Sequence, residues 1–472
     1  MRYLILMFGL CAAAAQAAPA ADGLAAPVVQ GEADLTRSQV RHAAVPEKSM
    51  AQAASRSVEM TEAELLARPE LLRMALDTVV ESQNIEHIGF LLGLYRRLPE
   101  SEQDAVLTAY ADTFLLRDAG KHTEAEKGLR TLLAEHPDFA PIRLQLAHTL
   151  SQNGKQREAA AEISALRQAP DLPEHVGAYL QQFDQYLEKE RSWQFDAGAS
   201  YLQEKNVGRA PRQRTYGNFT FEAPRAAHGF AYDASARKTL PLKGHWALRT
   251  QVSAAGKFYW DAHDYDDLTL RAEAGGVWRD AVQENAVLPF FEKRWYGTQP
   301  YSHHSGVSLR HTRTLSPEWQ LHGAWQSGYK THRERKHLNG ASHGVSATLV
   351  HLKPKQWFSY GIDGGVENAR DLSDAYRRYG VRAGWGKSWG KQAQVQTSLH
   401  ASAQRRHYRA PDFLNIQRRD TDFNLRAAVS HQKLSWQGFT PRLNWQWSHT
   451  RSNHFYYRQN EHRVFVDITK RF

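Results

Sequence analysis

The sequence holds a single cysteine, Cys11, inside its first 20 residues. The rest of the chain can therefore form neither a disulfide nor a thiolate metal site, and cysteine-based redox chemistry is excluded there. Long apolar runs are also missing. Beyond the N-terminus nothing approaches the roughly 18 consecutive apolar residues that a membrane-spanning helix requires, and mean hydropathy is −0.61. This excludes a helical membrane protein but leaves open a barrel, which crosses with strands. Tryptophan is absent from residues 1–192, and all 13 lie between Trp193 and Trp447. Charge divides at the same place: residues 1–192 carry a net −8 and residues 193–472 a net +18, which makes the formal +10 of the 472-residue chain. Two chemically different parts meet near residue 191.

Met1-Arg2 is a minimal positive start, Tyr3 to Ala15 is a short apolar stretch, and Ala15-Gln16-Ala17 has the small-x-small form of a signal-peptidase site. Residues 1–17 are accordingly expected to be an export signal. Leu10 precedes Cys11, where lipid attachment would want a small residue, so cleavage rather than lipidation is the expectation. Residues 18–60 are rich in Ala, Pro, Gln and Ser without apolar periodicity and read as a disordered linker.

Residues 61–190 read as helical and repetitive. Gly120-Lys121-His122-Thr123-Glu124-Ala125 recurs as Gly154-Lys155-Gln156-Arg157-Glu158-Ala159 at a spacing of 34, and Leu116/Leu150, Leu129/Ile163 and Leu132/Leu166 keep the register. Thirty-four residues is the tetratricopeptide period. Glycine permits the tight turn between two helices, the small alanine lets them approach, and Pro137 ends the second helix of the first unit. The expected units are 106–139 and 140–173, with further helix before them and a closing amphipathic helix over 174–190.

From residue 191 to 472 the period changes to two. Phe439, Pro441, Leu443, Trp445 and Trp447 alternate with Thr440, Arg442, Asn444, Gln446 and Ser448, the pattern of a strand with one apolar face. Trp246, Leu248, Val252 and Phe258 repeat it, as do Leu268, Leu270 and Ala272, and Phe423, Leu425 and Val429. A Trp or Tyr stands at the end of nearly every such strand, where a bilayer interface favours aromatic rings. The expectation is an antiparallel transmembrane β-barrel with lipid outside and a polar lumen, closed because lipid cannot satisfy an open edge. About fifteen candidate strands are visible, but termini on one side require an even number. Assigning Thr215–Phe221 to an extension of the first surface loop leaves fourteen. The last strand alternates Val464, Val466 and Ile468 with Phe465, Asp467 and Thr469 and ends on Phe472. Such a closing strand resembles the signal read by the barrel-assembly machinery. The seam between Trp193–Tyr201 and Val464–Phe472 is expected to be the weakest strand pair.

Arg249, Arg271, Arg382, Arg426, Arg442 and Arg463 fall on polar faces and are the candidate basic lining of the lumen, offset in part by Glu273, Asp363, Glu367 and Asp467. They would either attract acidic cargo or pair with carboxylates to brace the wall. Arg333/Arg335/Lys336, Arg405/Arg406/Arg409 and Arg418/Arg419 are expected in surface loops against lipopolysaccharide phosphates. His303-His304 and the Asp261, Asp264, Asp266, Asp267 cluster lack a defined ligand spacing or a partnered nucleophile. No catalytic, metal or cofactor residue is assigned, an enzyme is not expected, and no nucleic-acid motif is present.

Pro289-Phe290-Phe291-Glu292-Lys293-Arg294-Trp295-Tyr296-Gly297, Arg378-Tyr379-Gly380-Val381-Arg382-Ala383-Gly384-Trp385-Gly386, Thr440-Pro441-Arg442-Leu443, Arg451-Ser452-Asn453 and Arg463-Val464-Phe465-Val466 carry a more specific likeness. Together with the repeats, they make the chain from about residue 60 onward resemble the surface lipoprotein assembly modifier (Slam) family of Gram-negative bacteria. That resemblance implies an outer-membrane translocon with a periplasmic repeat domain. Its cargo would be surface lipoproteins or secreted metal- and haem-acquisition proteins, with a periplasmic chaperone as a possible further partner. Two other readings stay open on the residues alone: a polysaccharide exporter, which also joins such repeats to a barrel, and an anion-selective porin.

Overall fold

A computed structural model describes residues 60–168, 174–216, 219–390 and 392–471. The expected signal at 1–17, nearly all of the expected linker and Phe472 lie outside the described residues. Eight α-helices come first among those residues: α1 (Glu62–Leu66), α2 (Pro69–Glu81), α3 (Ile85–Tyr95), α4 (Ala105–Asp118), α5 (His122–Glu135), α6 (Ala140–Gln152), α7 (Gln156–Arg167) and α8 (Glu174–Arg191).

The helix ends follow from local chemistry. Asp104 caps α4 by accepting from the Val106 and Leu107 amides at 2.9 and 3.0 Å, which satisfies donors that have no partner within the helix. The repeated Gly-Lys pairs terminate α4 and α6 identically. Lys121 N–H donates to Leu116 O and Lys155 N–H to Leu150 O, both at 2.8 Å, while Gly120 and Gly154 sit at φ +75° and +79°. This six-to-one bond with glycine in the left-handed region is the usual way a chain leaves one helix and starts its antiparallel partner. Ala125 and Ala159 are fully buried at the close approach between paired helices, and Leu129, Ile163, Leu132 and Leu166 follow them into the core. Helix α8 lays Leu180, Phe183 and Leu187 on Ala147, Ile163 and Leu166 and covers the open end of the stack.

Fourteen strands then close into an antiparallel barrel. They are β1 (Gln194–Glu204), β4 (Ala227–Pro241), β5 (Trp246–Tyr259), β6 (Asp267–Arg279), β7 (Gln283–Tyr296), β8 (Gln299–Ser316), β9 (Trp319–His332), β10 (Gly340–Lys353), β11 (Gln356–Ala369), β12 (Tyr376–Trp389), β13 (Val395–Tyr408), β14 (Arg419–His431), β15 (Thr440–Ser452) and β16 (Gln459–Arg471). Two short strands, β2 (Thr215–Tyr216) and β3 (Phe219–Thr220), pair with each other in the β1–β4 loop. The stretch assigned to a loop extension is therefore a small hairpin outside the barrel. Because the barrel strand number is even, β1 starts and β16 ends at the end of the barrel nearest the helices.

Alternation sorts the side chains. Trp246, Leu248, Val287, Phe291, Val345, Ile362, Val381, Leu443 and Val464 are exposed on the outside. Residues at the alternate positions along the strands, such as Gln251, Glu273, Ser359 and Asn444, are buried within. An apolar outer face over a polar interior is the signature of a barrel in lipid.

The helical part sits on two barrel turns. Glu158 Oε1 accepts from the Gly244 amide at 3.2 Å, and Arg279 Nη1 lies 3.5 Å from Glu190 Oε2. Gly154 fits against the Arg279 main chain, where a Cβ would come within 2.4 Å of the carbonyl oxygen. The repeat turn thus serves twice, as a helix stop and as a contact with the barrel.

Candidate functional site: the barrel interior and its seam

All six arginines picked out from the polar faces lie within ion-pair distance of a carboxylate. Arg249 holds Glu284 bidentately at 2.7 and 2.9 Å. Arg271, 4% exposed, donates to Glu273 at 2.6 Å, Glu292 at 3.3 Å and Gln326 at 2.9 Å and lies 3.9 Å over the Phe290 ring. Arg382 is 3.4 Å from Asp363. Arg426 and Arg442 converge on Asp467 at 3.1 and 2.9 Å, and Arg463 reaches Glu204 at 3.1 Å. Several of these contacts link strands that are not neighbours: Arg271 on β6 meets Gln326 on β9, and Arg426 on β14 meets Asp467 on β16. These bonds reach over the intervening strands on the inner face, so they brace the barrel wall.

The side chains lie along that wall. A Cβ at Gly386 would come within 2.3 Å of the Trp357 indole, so glycine on β12 gives the inward Trp357 a flat bed beside its own strand. Near the helical end the inside turns apolar, with Ala247, Val277, Ala286 and Leu288 packed together and buried.

The β1–β16 seam differs from the other strand pairs. Among the described residues it carries five residue pairs, from Asp196↔Arg471 to Ser200↔Asp467, whereas β1–β4 carries eleven and β10–β11 fourteen. The terminal-strand residues Val464, Val466 and Ile468 face outward and are 69%, 47% and 44% exposed. Farther from the helices the seam is crossed by side chains: Glu204, 6% exposed, takes Lys257 at 2.7 Å as well as Arg463.

The other sequence candidates disperse. His303 and His304 point to opposite faces of β8; His303 stacks outside on Phe291, and His304 is buried inside against Phe290. The acidic cluster is taken up locally. Asp261 accepts from the His228 amide at 2.8 Å and contacts its ring at 2.7 Å, bonds that hold its carboxyl below the usual range. Asp266 accepts from the Tyr259 amide at 2.7 Å, and Asp267 pairs with Arg294 at 2.8 Å. Among the described residues no group of three His, Cys, Asp or Glu side chains is placed to hold a metal ion. Arg405 and Arg406, expected together in a loop, lie on β13; Arg406 turns inward to Asp422 at 2.6 Å, while Arg405 faces out. The carboxylate partners Glu204, Glu284 and Asp422 were not singled out in the sequence, because their pairing depends on which strands meet when the barrel closes.

Comparison with known proteins agrees with this architecture. The family profile "Surface lipoprotein assembly modifier" matches residues 193–472, and that for the family's N-terminal TPR repeats matches residues 58–163. Surface lipoprotein assembly modifier 1 of Haemophilus influenzae is 32% identical over 425 residues, covering 88% of this chain and 87% of that one. The protein of the same name from Neisseria meningitidis serogroup B is 31% identical over 416 residues, covering 86% and 84%. The hemophilin secretion modulator of Acinetobacter baumannii is 26% identical over 397 residues, covering 78% and 79%. With its barrel and its helical repeats both matched, the chain belongs to the surface lipoprotein assembly modifier family of outer-membrane proteins.

Proposed function

We propose that the chain is a translocon that carries lipoproteins, or related secreted haem-binding proteins, across the outer membrane to the cell surface. The observation that carries this reading is a closed, polar-lined barrel with a helical repeat array seated on the turns at one end. The names of its relatives, surface lipoprotein assembly modifier and hemophilin secretion modulator, support the class of cargo.

In this reading residues 1–17 direct export and residues 61–190 stand in the periplasm, where the acidic repeats receive cargo or its chaperone. The last strand, with Val464, Val466, Ile468 and Phe472, is offered to the barrel-assembly machinery, and the basic surface loops lie against lipopolysaccharide. The barrel, residues 191–472, gives an extended polypeptide a polar path. Guanidinium and carboxylate groups replace water around its backbone, and folding on the far side favours forward movement. Ion pairing keeps the lining arginines from trapping an acidic chain, since each is already partnered.

Acyl chains are a different matter. Moving a chain of roughly 15 methylenes from membrane to a wet polar lumen costs about 12 kcal/mol at about 0.8 kcal/mol per CH2, so the anchor of a lipidated cargo needs its own route.

Protease shaving of intact cells tests the reading. A candidate lipoprotein should become accessible only when this chain is present, with its amount and lipidation unchanged. If deletion leaves every lipoprotein equally exposed, the translocon reading fails. A large, permanently open conductance in planar bilayers would then favour a passive porin.

A further inference from the structure

The β1–β16 ladder stops at Ser200↔Asp467, although both strands continue. Kept in register, the next positions would set Tyr201 against Val466, Leu202 against Phe465, Gln203 against Val464 and Glu204 against Arg463. Every other neighbouring strand pair in the barrel keeps eleven to fourteen residue pairs. The strands instead part around a cleft of about 220 Å3 lined by Tyr201, Leu202, Gln203, Arg463, Val464 and Phe465. Because β1 runs away from the helices, this cleft lies in the half of the barrel farther from them.

Its two lips differ chemically. On the outside stand Tyr201, Val464 and Val466, each about half exposed or more. On the inside are Arg426, Gln446 and Arg463. The far end is clasped twice. Glu204 and Arg463, which would be opposed in register, bridge the gap at 3.1 Å. Beyond them the β2–β3 hairpin reaches over the seam and stacks Tyr216 on Phe455 at 4.7 Å, with Phe221 also against that ring.

Lipid cannot satisfy unpaired strand edges, so an edge left open at membrane depth is best explained by a guest that pairs with it. We propose that this wedge is the exit port for the lipid anchor: an extended, acylated peptide segment lies between β1 and β16. Its backbone meets the free strand edges, and its acyl chains pass between Tyr201 and Val464 into the outer half of the membrane. Peptide and acyl chain match the polar inner and apolar outer lips. The five-pair ladder at the helical end acts as the hinge, and the Glu204–Arg463 pair with the Tyr216/Phe455 stack acts as the latch. The proposal rests on the translocon reading and adds where the anchor leaves.

The test closes the wedge chemically. The single native cysteine, Cys11, lies in the expected signal, so Gln203→Cys with Val464→Cys can be bridged on folded protein by a short reducible thiol cross-linker. The control bridges Ala234→Cys with Ala254→Cys, which face out of a complete ladder. The probe is a lipoprotein whose surface exposure depends on this chain, together with the same polypeptide lacking its acylated cysteine. Bridging the seam is expected to lower exposure of the lipidated form at least tenfold, with recovery on reduction. Release of the unacylated form and the control bridge should change less than twofold. Leu202→Cys with Phe465→Cys replaces the first pair if that variant does not display cargo before bridging. Unchanged display through a bridged seam overturns the proposal and leaves the translocon reading intact. Equal loss of both forms also overturns it, because the seam would then serve the polypeptide and not the anchor. If deleting the chain changes neither form, the translocon reading itself fails.

Discussion

Replacing Asp467 by alanine should weaken the whole barrel, because one buried carboxylate holds two arginines at the hinge of the seam. Asp467 is fully buried on β16 and forms the last rung with Ser200 of β1. It accepts from Arg442 at 3.0 and 2.9 Å, from Arg426 at 3.1 Å and from the Asn444 amide at 3.0 Å. Breaking a buried ion pair by removing one partner costs about 3–5 kcal/mol. Arg442 retains 32% side-chain exposure and can recover some hydration, which places Asp467→Ala near the lower end, about 3 kcal/mol. Asp467→Asn keeps an acceptor and loses the charge, and should cost about 1.5 kcal/mol, in line with the worth of a charged hydrogen bond. Replacing Arg426, Arg442 and Asp467 together by Met, Met and Leu should recover most of the loss, since packed apolar groups often match a buried ionic cluster. The assay is urea unfolding of the full chain in lipid vesicles, read by the mobility of folded and unfolded barrel on gels. Asp467→Ala within about 0.5 kcal/mol of the parent, or a triple variant worse than the single, would refute the view that these ion pairs brace the wall.

The helical domain offers three further tests. Burial, and then the Arg117 guanidinium at 2.8 Å, push His148 down to about 3, and burial lowers His122 as well. His148 is neutral when folded, so its contribution is intact above the unfolded value near 6.5 and is lost as pH falls from there toward about 3, at about 1.4 kcal/mol per pH unit, and the lowered His122 acts in the same direction. Helical circular dichroism of the full chain should melt earlier at pH 5 than at pH 7.5. His148→Gln should flatten that slope, and an unchanged slope would refute the assignment. Gly154→Ala and Gly120→Ala each place a side chain at positive φ, at about 1 kcal/mol. Only Gly154→Ala also drives a Cβ into the Arg279 carbonyl, so it alone should speed proteolysis between helices and barrel; equal rates would refute the docking contact. At Glu126, burial is outweighed by Lys155 and Arg130, which hold its carboxyl below the usual range. Because Lys155, Arg130 and Asn153 all bond to it, Glu126→Gln should lower the helical melting stability by about 1–2 kcal/mol, and no change would show that the two repeats are not joined there.

Much of this architecture was legible because its periods are simple. The recurring Gly-Lys and Glu-Ala at 34 residues mark helix turns whose hydrogen bonds depend only on local geometry. Leu443, Trp445 and Trp447 against Arg442, Asn444 and Gln446 mark a strand because alternation is a property of any extended chain. Pairing was not legible. Glu204 and Arg463 are 259 residues apart and meet only when the first and last strands close the barrel. Arg405 and Arg406 looked like one loop cluster because β13 runs on to Tyr408, where neighbouring residues face opposite sides. Phe290 carries no sign in its own sequence context that it would lie inside under Arg271. The helical dock was hidden too, since Gly154 meets main chain at Arg279, and main-chain contacts leave no side-chain pattern to read.

The central claim is that cargo polypeptide passes through the barrel interior, and site-specific photo-cross-linking during translocation tests it most directly. A photoreactive residue would replace Thr348 or Ser359, which face inward and are 7% exposed, or Val345 or Ile362, which face outward and are 56% and 63% exposed. The account predicts adducts with a translocating cargo at Thr348 and Ser359 and none at Val345 or Ile362. Continued surface display with adducts only at the outward positions, or at none of the four, would contradict it.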